Sequence, residues 1–303
     1  MMSRTILAFT VGAAALQIVH AAAQETPQTT AAARTREVYV SVQSRNDTPV
    51  TGLAPGDFVV REDGAPREVL KAERATAPVQ IMLLVDDSAA ADSAVSELRS
   101  GLNAFVEKMQ GKGEIGLVTI GERPTSVTEL TTSLETIKKG LSRIFARPGS
   151  GAYFLDAVSD IARGLQRREA ARPIIVAVIT EGVEFSNMDS TGVLDRLYSS
   201  RATLHVLSIG RPNDSMADEI RHRNIVVADG TARTGGRRDQ VLTPSALPEK
   251  LRKLADEILN QYVVTYGVPD ALIPPERLEV TVKQPGVTVR ARQRLIAPRV
   301  PAR

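Results

Sequence analysis

The stretch Ile81-Met82-Leu83-Leu84-Val85-Asp86-Asp87-Ser88 decides the fold of this 303-residue chain. Five consecutive apolar residues are typical of a strand that is covered on both faces of a parallel sheet. Similar runs recur at residues 115–120, 174–179 and 204–209, and stretches with helical spacing separate them. This alternation predicts βαβ units, and therefore a doubly wound, mostly parallel α/β sheet of the Rossmann-like type.

The two ends of the chain follow a different pattern, in which every second residue is apolar. Val38, Val40 and Val42 share one face of a predicted strand, and short strands joined by Asp/Gly turns follow up to residue 70. The alternation returns at the end of the chain, at residues 262–266, 278–282 and 287–292. Because these last strands have no helices of their own to cover them, we expect the doubly wound domain to be inserted into a small β-sandwich built from both chain ends.

Changes of pattern along the chain predict its boundaries. The expected segments are a signal peptide at 1–23, a flexible leader at 24–35, an N-terminal β unit at 36–76, the doubly wound domain at 77–260, C-terminal β strands at 261–298 and a tail at 299–303. Inside the doubly wound domain, we expect a last short strand at 224–227 and a closing helix at 247–259.

The first residues are typical of a secretory signal peptide. Arg4 is followed by an apolar run from residue 6 to residue 19, and Ala21 and Ala23 match the small residues of a cleavage site. We expect cleavage after Ala23 and a secreted or periplasmic protein; an uncleaved N-terminal anchor is the alternative. No later segment approaches the ~20 apolar residues that a spanning helix needs, so we expect no membrane span in the mature chain.

Composition excludes several kinds of chemistry. The chain has no Cys and three His, so it cannot form a disulfide, a thiolate metal site or a Cys nucleophile. Its 38 Lys and Arg are nearly balanced by 35 Asp and Glu, unlike the basic excess of a nucleic-acid-binding protein. The sequence has neither a Gly-x-Ser-x-Gly elbow nor a Walker-type phosphate loop. We therefore expect no enzymatic activity and no nucleic-acid partner.

Three loops are expected to meet at the carboxyl edge of the sheet, where open α/β sheets bind their ligands. The first starts with Asp86, the second spans residues 149–157, and the third starts with Thr180-Glu181. With the strands at both chain ends, these loops resemble a von Willebrand factor type A (VWA) domain, and more narrowly the bacterial exported proteins with a VWFA-related domain. The resemblance covers about residues 36–298 and includes Thr234-Gly235-Gly236-Arg237.

The resemblance implies a position for a metal-ion-dependent adhesion site. In that family an Asp-x-Ser-x-Ser loop, a Thr and an Asp hold Mg²⁺ or Mn²⁺ through hard oxygen ligands. The matching positions in this sequence are Asp86, Ser88, Ala90, Ala152 and Glu181. Two hydroxyl ligands are missing and one carboxylate is a methylene longer, so the resemblance implies a degenerate site. Metal binding there is expected to be weak or lost, with Asp86 bonded to local backbone instead and no cofactor required.

The resemblance also implies a function, namely an exported, non-enzymatic interaction or scaffold module that binds a protein partner without a metal ion. Asp87 is expected to add negative charge to the binding rim, and Tyr153 and Phe154 are either core residues or an exposed contact pair. The expected rim residues are Asp87, Ala152, Tyr153, Phe154 and Glu184. Two alternatives stay open: a Mg²⁺- or Mn²⁺-dependent adhesion receptor that uses the altered site, and, with least support, a hydrolase that uses the acidic cluster.

Other polar residues are expected to be structural. His205 lies inside an apolar run and is expected to be hydrogen-bonded within a strand, whereas His222 is expected at a solvated helix end. Arg290, Arg292 and Arg294 alternate along the last strand, where we expect a solvated, charged edge that discourages strand pairing between molecules.

The signal peptide gives a first prediction. Protein recovered from the periplasm or the medium should have the intact mass of residues 24–303, because a signal peptidase removes residues 1–23. Ala21→Arg, which places a large charged residue at the cleavage site, should leave the full-length chain in the membrane fraction. A recovered wild-type protein that still carries residues 1–23 would identify an anchor instead.

Overall fold

The computed structural model describes residues 34–269 and 273–295. The strands in this part of the chain are β1 (Arg34–Ser44), β2 (Phe58–Glu62), β3 (Ala65–Arg67), β4 (Val69–Arg74), β5 (Val79–Val85), β6 (Gly113–Thr119), β7 (Thr125–Thr131), β8 (Pro173–Thr180), β9 (Thr203–Ile209), β10 (Arg238–Val241), β11 (Tyr262–Val268), β12 (Leu278–Val282) and β13 (Val287–Ala291). The helices are α1 (Val95–Lys108), α2 (Leu134–Leu141), α3 (Phe154–Arg167), α4 (Ser190–Ser199), α5 (Asp218–Ile225), α6 (Thr231–Thr234) and α7 (Leu247–Leu259). The predicted signal peptide and tail lie outside the described residues, and β1 includes Arg34 and Thr35, which were predicted to end the leader.

The central sheet has the strand order β10-β9-β8-β5-β6-β7, and its neighbours are parallel except for the β6–β7 pair. Every residue of β8 is buried, as expected for a strand that is covered on both faces. Helices α1, α2 and α7 pack on one face, and α3 and α4 pack on the other. The predicted doubly wound α/β fold is confirmed. None of the helices in the two described ranges is long and apolar enough to cross a membrane.

The short strand predicted at 224–227 is wrong. These residues continue α5 into a π-helical turn at Val226–Gly230, and the last strand of the sheet is β10. Ile220, Arg223 and Val226 are buried at helical spacing. A short apolar run does not distinguish a buried strand from a buried helix. Here the preceding residues of α5 are helical, and the helix continues into the run.

Both chain ends build a β-sandwich, as predicted. One sheet has the order β13-β1-β11-β4 and the other has the order β12-β2-β3. Strand β1 pairs antiparallel with β11 on one side and with β13 on the other. Val40 from β1, Val60 from β2 and Val264 from β11 are buried in one core between the two sheets. The strands therefore bury the apolar face that neither end could cover alone.

The second face of β1 is also buried, although its residues are polar. Ser41 and Gln43 are both almost fully buried. The side-chain amide of Gln261 donates to Ser41 Oγ over 3.0 Å. Arg290 Nη1 donates to Gln43 Oε1 over 2.5 Å. Gln261 also accepts a hydrogen bond from Arg172 of the central domain over 2.6 Å, so polar side chains connect the sandwich to that domain.

Arg290 and Arg292 point into this contact, so the predicted solvated edge is wrong for both. Arg290 Nη1 lies 3.4 Å from the buried carboxylate of Glu257, and Arg292 Nη2 donates to the carbonyl oxygen of Ala202 over 3.1 Å. Burial lowers the pKa of Arg292 to about 10. Strand β13 is an edge strand, but the neighbouring domain covers the face that carries these arginines.

The segment Thr234-Gly235-Gly236-Arg237 brings the two parts of the molecule together. Gly235 has φ +77°, and a Cβ there would lie 2.4 Å from the carbonyl carbon of Ala291 in β13. A Cβ at Gly236 would lie 1.7 Å from the carbonyl oxygen of Leu204 in β9. Only residues without a side chain allow the backbone to pass this closely between the sandwich and the central sheet.

Arg237 holds the same joint through buried ion pairs. Its guanidinium donates to Asp47 in the loop after β1 over 2.9 Å and to Asp239 in β10 over 2.5 Å. Glu257 from α7 lies 3.5 Å away. Burial alone lowers the pKa of Arg237, but the hydrogen bonds to Asp239 and Asp47 outweigh it and raise that pKa above its usual value. Arg237 therefore remains charged and links three elements.

His205 is buried in β9 and its Nδ1 accepts the backbone N–H of Arg237 over 3.0 Å, as predicted for a hydrogen-bonded strand residue. Burial and the nearby charge of Arg290 lower the pKa of His205 to about 3. His205 is therefore neutral at physiological pH.

The joint gives a second prediction, with a matched control. Gly149 has the same φ of +77° as Gly235, but a Cβ at Gly149 would meet nothing within 4 Å. Gly149→Ala should cost about 1 kcal/mol of unfolding free energy, from backbone strain alone. Gly235→Ala should cost about 3 kcal/mol, because the methyl group also forces β13 away. Denaturant unfolding measures both; equal losses would show that the close approach at Gly235 is unimportant.

Candidate functional site

The three predicted loops meet at the carboxyl edge of the central sheet. Residues 86–90 follow β5, residues 150–153 precede α3, and residues 181–186 follow β8. The N–H of Ala89 donates to the carbonyl oxygen of Ser150 over 3.3 Å, and the N–H of Ala152 donates to that of Val183 over 2.8 Å. The strand order reverses between β5 and β8, and this is where open α/β sheets form their ligand crevice.

Asp86 is fully buried, and protein donors occupy both of its carboxylate oxygens. Oδ1 accepts the N–H of Ser88 over 2.8 Å. Oδ2 accepts the N–H of Thr180 over 2.9 Å and also the hydroxyl of Thr180. The carboxylate therefore ties the end of β5 to the end of β8. Nothing in the sequence pattern singled out Thr180 for this role.

Glu181 forms an ion pair with Arg223 of α5. Arg223 Nη2 lies 2.5 Å from Glu181 Oε2, and the side chain of Arg223 is buried. Arg223 also donates to the carbonyl oxygen of Gly182 over 3.2 Å, and the N–H of Asn213 donates to Glu181 over 3.3 Å. Since 42 residues separate Arg223 from Glu181, no local motif could have revealed this pair.

The remaining positions of the expected adhesion site supply few side chains that could bind a metal ion. Ser88 is buried, and its hydroxyl has no hydrogen-bond partner among the described residues. A Cβ at Gly182 would lie 2.6 Å from the methyl group of Ala90, so the first and third loops touch at that point. Within the part of the chain that the structure describes, no three His, Cys, Asp or Glu side chains form a metal-ligand group. Alanine thus stands at two of the five matched positions, and Ser88 supplies the hydroxyl at a third.

Asp87 was predicted to add negative charge to the rim, but it is buried and paired. Its Oδ1 accepts the N–H of Gly121 over 2.6 Å, and Arg147 Nε donates to its Oδ2 over 2.9 Å. The hydrogen bond and the charge of Asp87 raise the pKa of Arg147. Asp87 therefore fastens the first loop to the turn after β6 and offers no free charge to a partner.

Three other predicted rim residues are also buried. Ala152 lies between Gly121 and Glu184 in short β-bridges, and Phe154 belongs to the core beneath α3. Glu184 faces the first turn of α3, where its Oε1 accepts the N–H of Leu155 over 3.4 Å. Of the two interpretations of Phe154, the core residue is therefore confirmed.

The exposed part of the rim is apolar. Val183 and Phe185 are 57% and 48% exposed, and they flank the buried Glu184. The ring of Phe185 meets that of Tyr153 edge to face, with 6.1 Å between the centroids. We call Tyr153, Val183 and Phe185 the apolar rim. Sequence analysis found Tyr153 but missed Val183 and Phe185, which stand in the third loop beside the residues that it examined.

A pocket of about 550 Å³ lies beside Glu181, between the loop after β9 and helix α5. Its lining includes Glu181, Asn213, Ser215, Met216, Asn224 and Ile225. Met216 is almost fully exposed at its mouth. The candidate site thus combines a projecting apolar rim with a neighbouring concave surface.

One serine and one histidine approach each other near this site. Ser190 Oγ lies 3.0 Å from His222 Nδ1, which also receives the backbone N–H of Ser190 over 3.3 Å. His222 is therefore not a simply solvated helix end. Ser190 is buried at the start of α4, where the imidazole accepts a backbone N–H that the helix leaves unpaired.

Comparisons with known proteins identify the fold around this site. Residues 81–183 match the family described as von Willebrand factor type A domain. The structure resembles that of a von Willebrand factor type A protein from Catenulispora acidiphila, with a TM-score of 0.50 and 13% identity over 86% of this chain and 72% of that chain. It also resembles an aerotolerance-related membrane protein from Bacteroides fragilis, with a TM-score of 0.45 and 16% identity over 59% of this chain and 98% of that one. No curated protein sequence matches significantly.

The Glu181–Arg223 pair gives a third prediction. Arg223→Met should destabilise the protein by about 3 kcal/mol, because it leaves the largely buried carboxylate of Glu181 without its cation. Arg221→Met, two positions earlier in α5, removes an exposed arginine that pairs with Asp218 and should cost less than about 1 kcal/mol. Denaturant midpoints of the two variants provide the comparison, and similar values would show that the buried pair is not structural.

Proposed function

We propose that this chain, whose residues 81–183 match the von Willebrand factor type A domain family, is an exported, non-enzymatic module that binds a protein partner without a metal ion. VWA domains are protein-interaction modules, which supports the general class. The sequence of residues 1–23 supports export. The finer features of the proposal depend on the geometry of the three loops.

One observation carries the metal-independent part of the proposal: protein donors already satisfy the two carboxylates at the ligand positions. A cation at Asp86 would have to compete with the N–H groups of Ser88 and Thr180. A cation at Glu181 would have to displace the guanidinium of Arg223. With alanine at positions 90 and 152, Ser88 supplies the one remaining hydroxyl among the five matched positions. The acidic groups therefore hold the loops in place through hydrogen bonds and an ion pair inside the protein.

The apolar rim is the proposed contact surface. Aromatic side chains contribute strongly to protein interfaces, because they bury a large area at a small cost in side-chain entropy. Tyr153 and Phe185 hold each other in an edge-to-face contact. Binding a partner would therefore cost these two side chains little further conformational entropy. The pocket beside Glu181 offers an adjoining cavity for a side chain of the partner.

The non-enzymatic part of the proposal is supported by the state of the polar groups. The hydroxyl of Ser88 has no base beside it among the described residues. Ser190 does have a histidine neighbour, but it is buried and its own N–H shares the same imidazole nitrogen. A hydrolase needs an accessible nucleophile with a positioned base.

The fourth prediction concerns divalent ions. The melting temperature of the purified protein should differ by less than about one degree between EDTA and millimolar Mg²⁺, Mn²⁺ or Ca²⁺, because no ion binds the native state preferentially. An ion present at about 100 times its Kd would add roughly 2.7 kcal/mol and move the midpoint by several degrees. An ion-selective shift that Asp86→Ala abolishes would overturn metal independence and support the adhesion-receptor alternative.

The fifth prediction concerns the apolar rim. Phe185→Ser should weaken partner capture by tenfold or more in the presence of EDTA, because it removes an aromatic anchor. Leu70→Ser changes a side chain of similar exposure, 46%, on β4 of the sandwich, and should leave capture unchanged. Capture is measured by cross-linking in the native envelope fraction, followed by quantitative mass spectrometry. Equal effects of the two substitutions would place the contact surface elsewhere.

A further inference from the structure

Glu184 occupies an unusual place in the apolar rim. It is only 3% exposed, yet it lies in the loop between two side chains that are about half exposed. Its backbone is held against the second loop, because the N–H of Phe185 donates to the carbonyl oxygen of Ala152 over 2.8 Å. The position of the rim therefore depends on keeping the Glu184 side chain inside the protein.

Burial raises the pKa of Glu184 by more than hydrogen bonds from Ser186 and from the backbone of Leu155 lower it. Oε1 receives the N–H of Leu155 over 3.4 Å, which is a long hydrogen bond. Oε2 is buried and has no partner among the described residues. A neutral carboxyl group tolerates such a place, whereas a carboxylate that loses its water without receiving enough donors is costly.

Helix α5, helix α3 and the second loop lie around Glu184. The charged side chains that α5 and α3 carry there are already bonded to other groups. Arg223 of α5 attracts the carboxylate, but its guanidinium is bound to Glu181 in the same loop. Asp156, in the first turn of α3, is engaged as well, because it accepts the N–H of Met188 over 3.1 Å. The second loop, residues 150–153, contributes no ionisable group other than the phenol of Tyr153. Burial therefore raises the pKa of Glu184 by more than the charge of Arg223 lowers it.

We propose that Glu184 is a proton-controlled anchor of the apolar rim. While Glu184 is neutral, residues 183–186 lie closed against α3 and the second loop. When Glu184 loses its proton, the carboxylate moves to water, the loop opens and the arrangement of Tyr153, Val183 and Phe185 is lost. This inference rests on the proposed function only in assigning the rim a partner, since the opening itself involves this chain alone.

The direction of the pH effect follows from linkage. Burial raises the pKa of Glu184 to about 7 in the closed loop, whereas an exposed glutamate in the open loop has the ordinary value of 4.5. An acid whose pKa is raised in the closed state stabilises that state at low pH, and the stabilisation is lost as the pH rises from the open-state value to the closed-state value. From about pH 6 to pH 8, these two values imply an increase of about tenfold in the opening equilibrium constant.

Hydrogen exchange of the intact protein tests the anchor without a partner. The amides of Ala152 and Phe185 cross the closed loop, and their exchange, corrected for the intrinsic effect of pH, should speed up about tenfold from about pH 6 to pH 8. Glu184→Gln keeps the shape and removes the proton, so this increase should disappear. Glu219→Gln makes the same change at an exposed position of α5 and should retain the increase. A pH effect that persists in Glu184→Gln, or its absence in the wild type, would overturn the proposal.

A second measurement covers the case in which Glu184→Gln does not fold. The chain has no Trp, so Phe185→Trp places a single indole in the loop. Its emission should change with a midpoint near pH 7, and a constant emission between about pH 6 and pH 8 would overturn the proposal. The two proposals can fail independently. If the loop does not respond to pH, the proposed anchor is wrong but the proposed interaction surface is not affected. If Phe185→Ser does not weaken partner capture, the interaction surface is wrong but the anchor is not affected.

Discussion

Burial of the parallel sheet on both faces is the constraint on which the rest of the structure depends. Strand β8 is buried at every residue, and β5 beside it lies between two separate helical layers. Such a sheet can present loops to solvent only at the ends of its strands. The first and third loops therefore leave the sheet side by side, and their backbone N–H groups and carboxylates must satisfy one another away from water. Asp86 does this by receiving donors from Ser88 and Thr180.

The contact between the sandwich and the central domain differs from the apolar cores on either side of the sheet, because it is largely polar. Arg237, Glu257 and Arg290 are charged groups at this contact, and each pairs with a group from another element. Buried ion pairs add little net stability over apolar packing, but breaking one is expensive. The joint therefore fixes one arrangement of the two parts. The glycines at 235 and 236 let the backbones come close enough for these pairs to form.

The acidic residues of the candidate site are bound inside the protein. Asp86, Asp87 and Glu181 keep their carboxylates, but protein donors bind all three. The exposed area lies instead on Tyr153, Val183 and Phe185, which are suited to contact with a protein surface. Glu184 lies between these two features, because it is buried between the half-exposed side chains of Val183 and Phe185. A buried carboxyl group and two exposed apolar side chains thus belong to one loop.

The sequence by itself determined the doubly wound domain, the sandwich from both chain ends and the alanines at positions 90 and 152. These features follow from the spacing of apolar residues and from residue identities at matched positions, which are local properties. Only the tertiary structure decided that Glu181 pairs with Arg223, that Glu184 is buried between exposed neighbours, and that residues 224–227 are helical. Arg223 is 42 residues from Glu181, and the covered face of β13 is set by a neighbouring domain. Packing between elements that are far apart in the sequence determines which group each charged side chain pairs with. It therefore also determines which side chains stay exposed at the surface. The spacing of residues along the sequence cannot predict this packing.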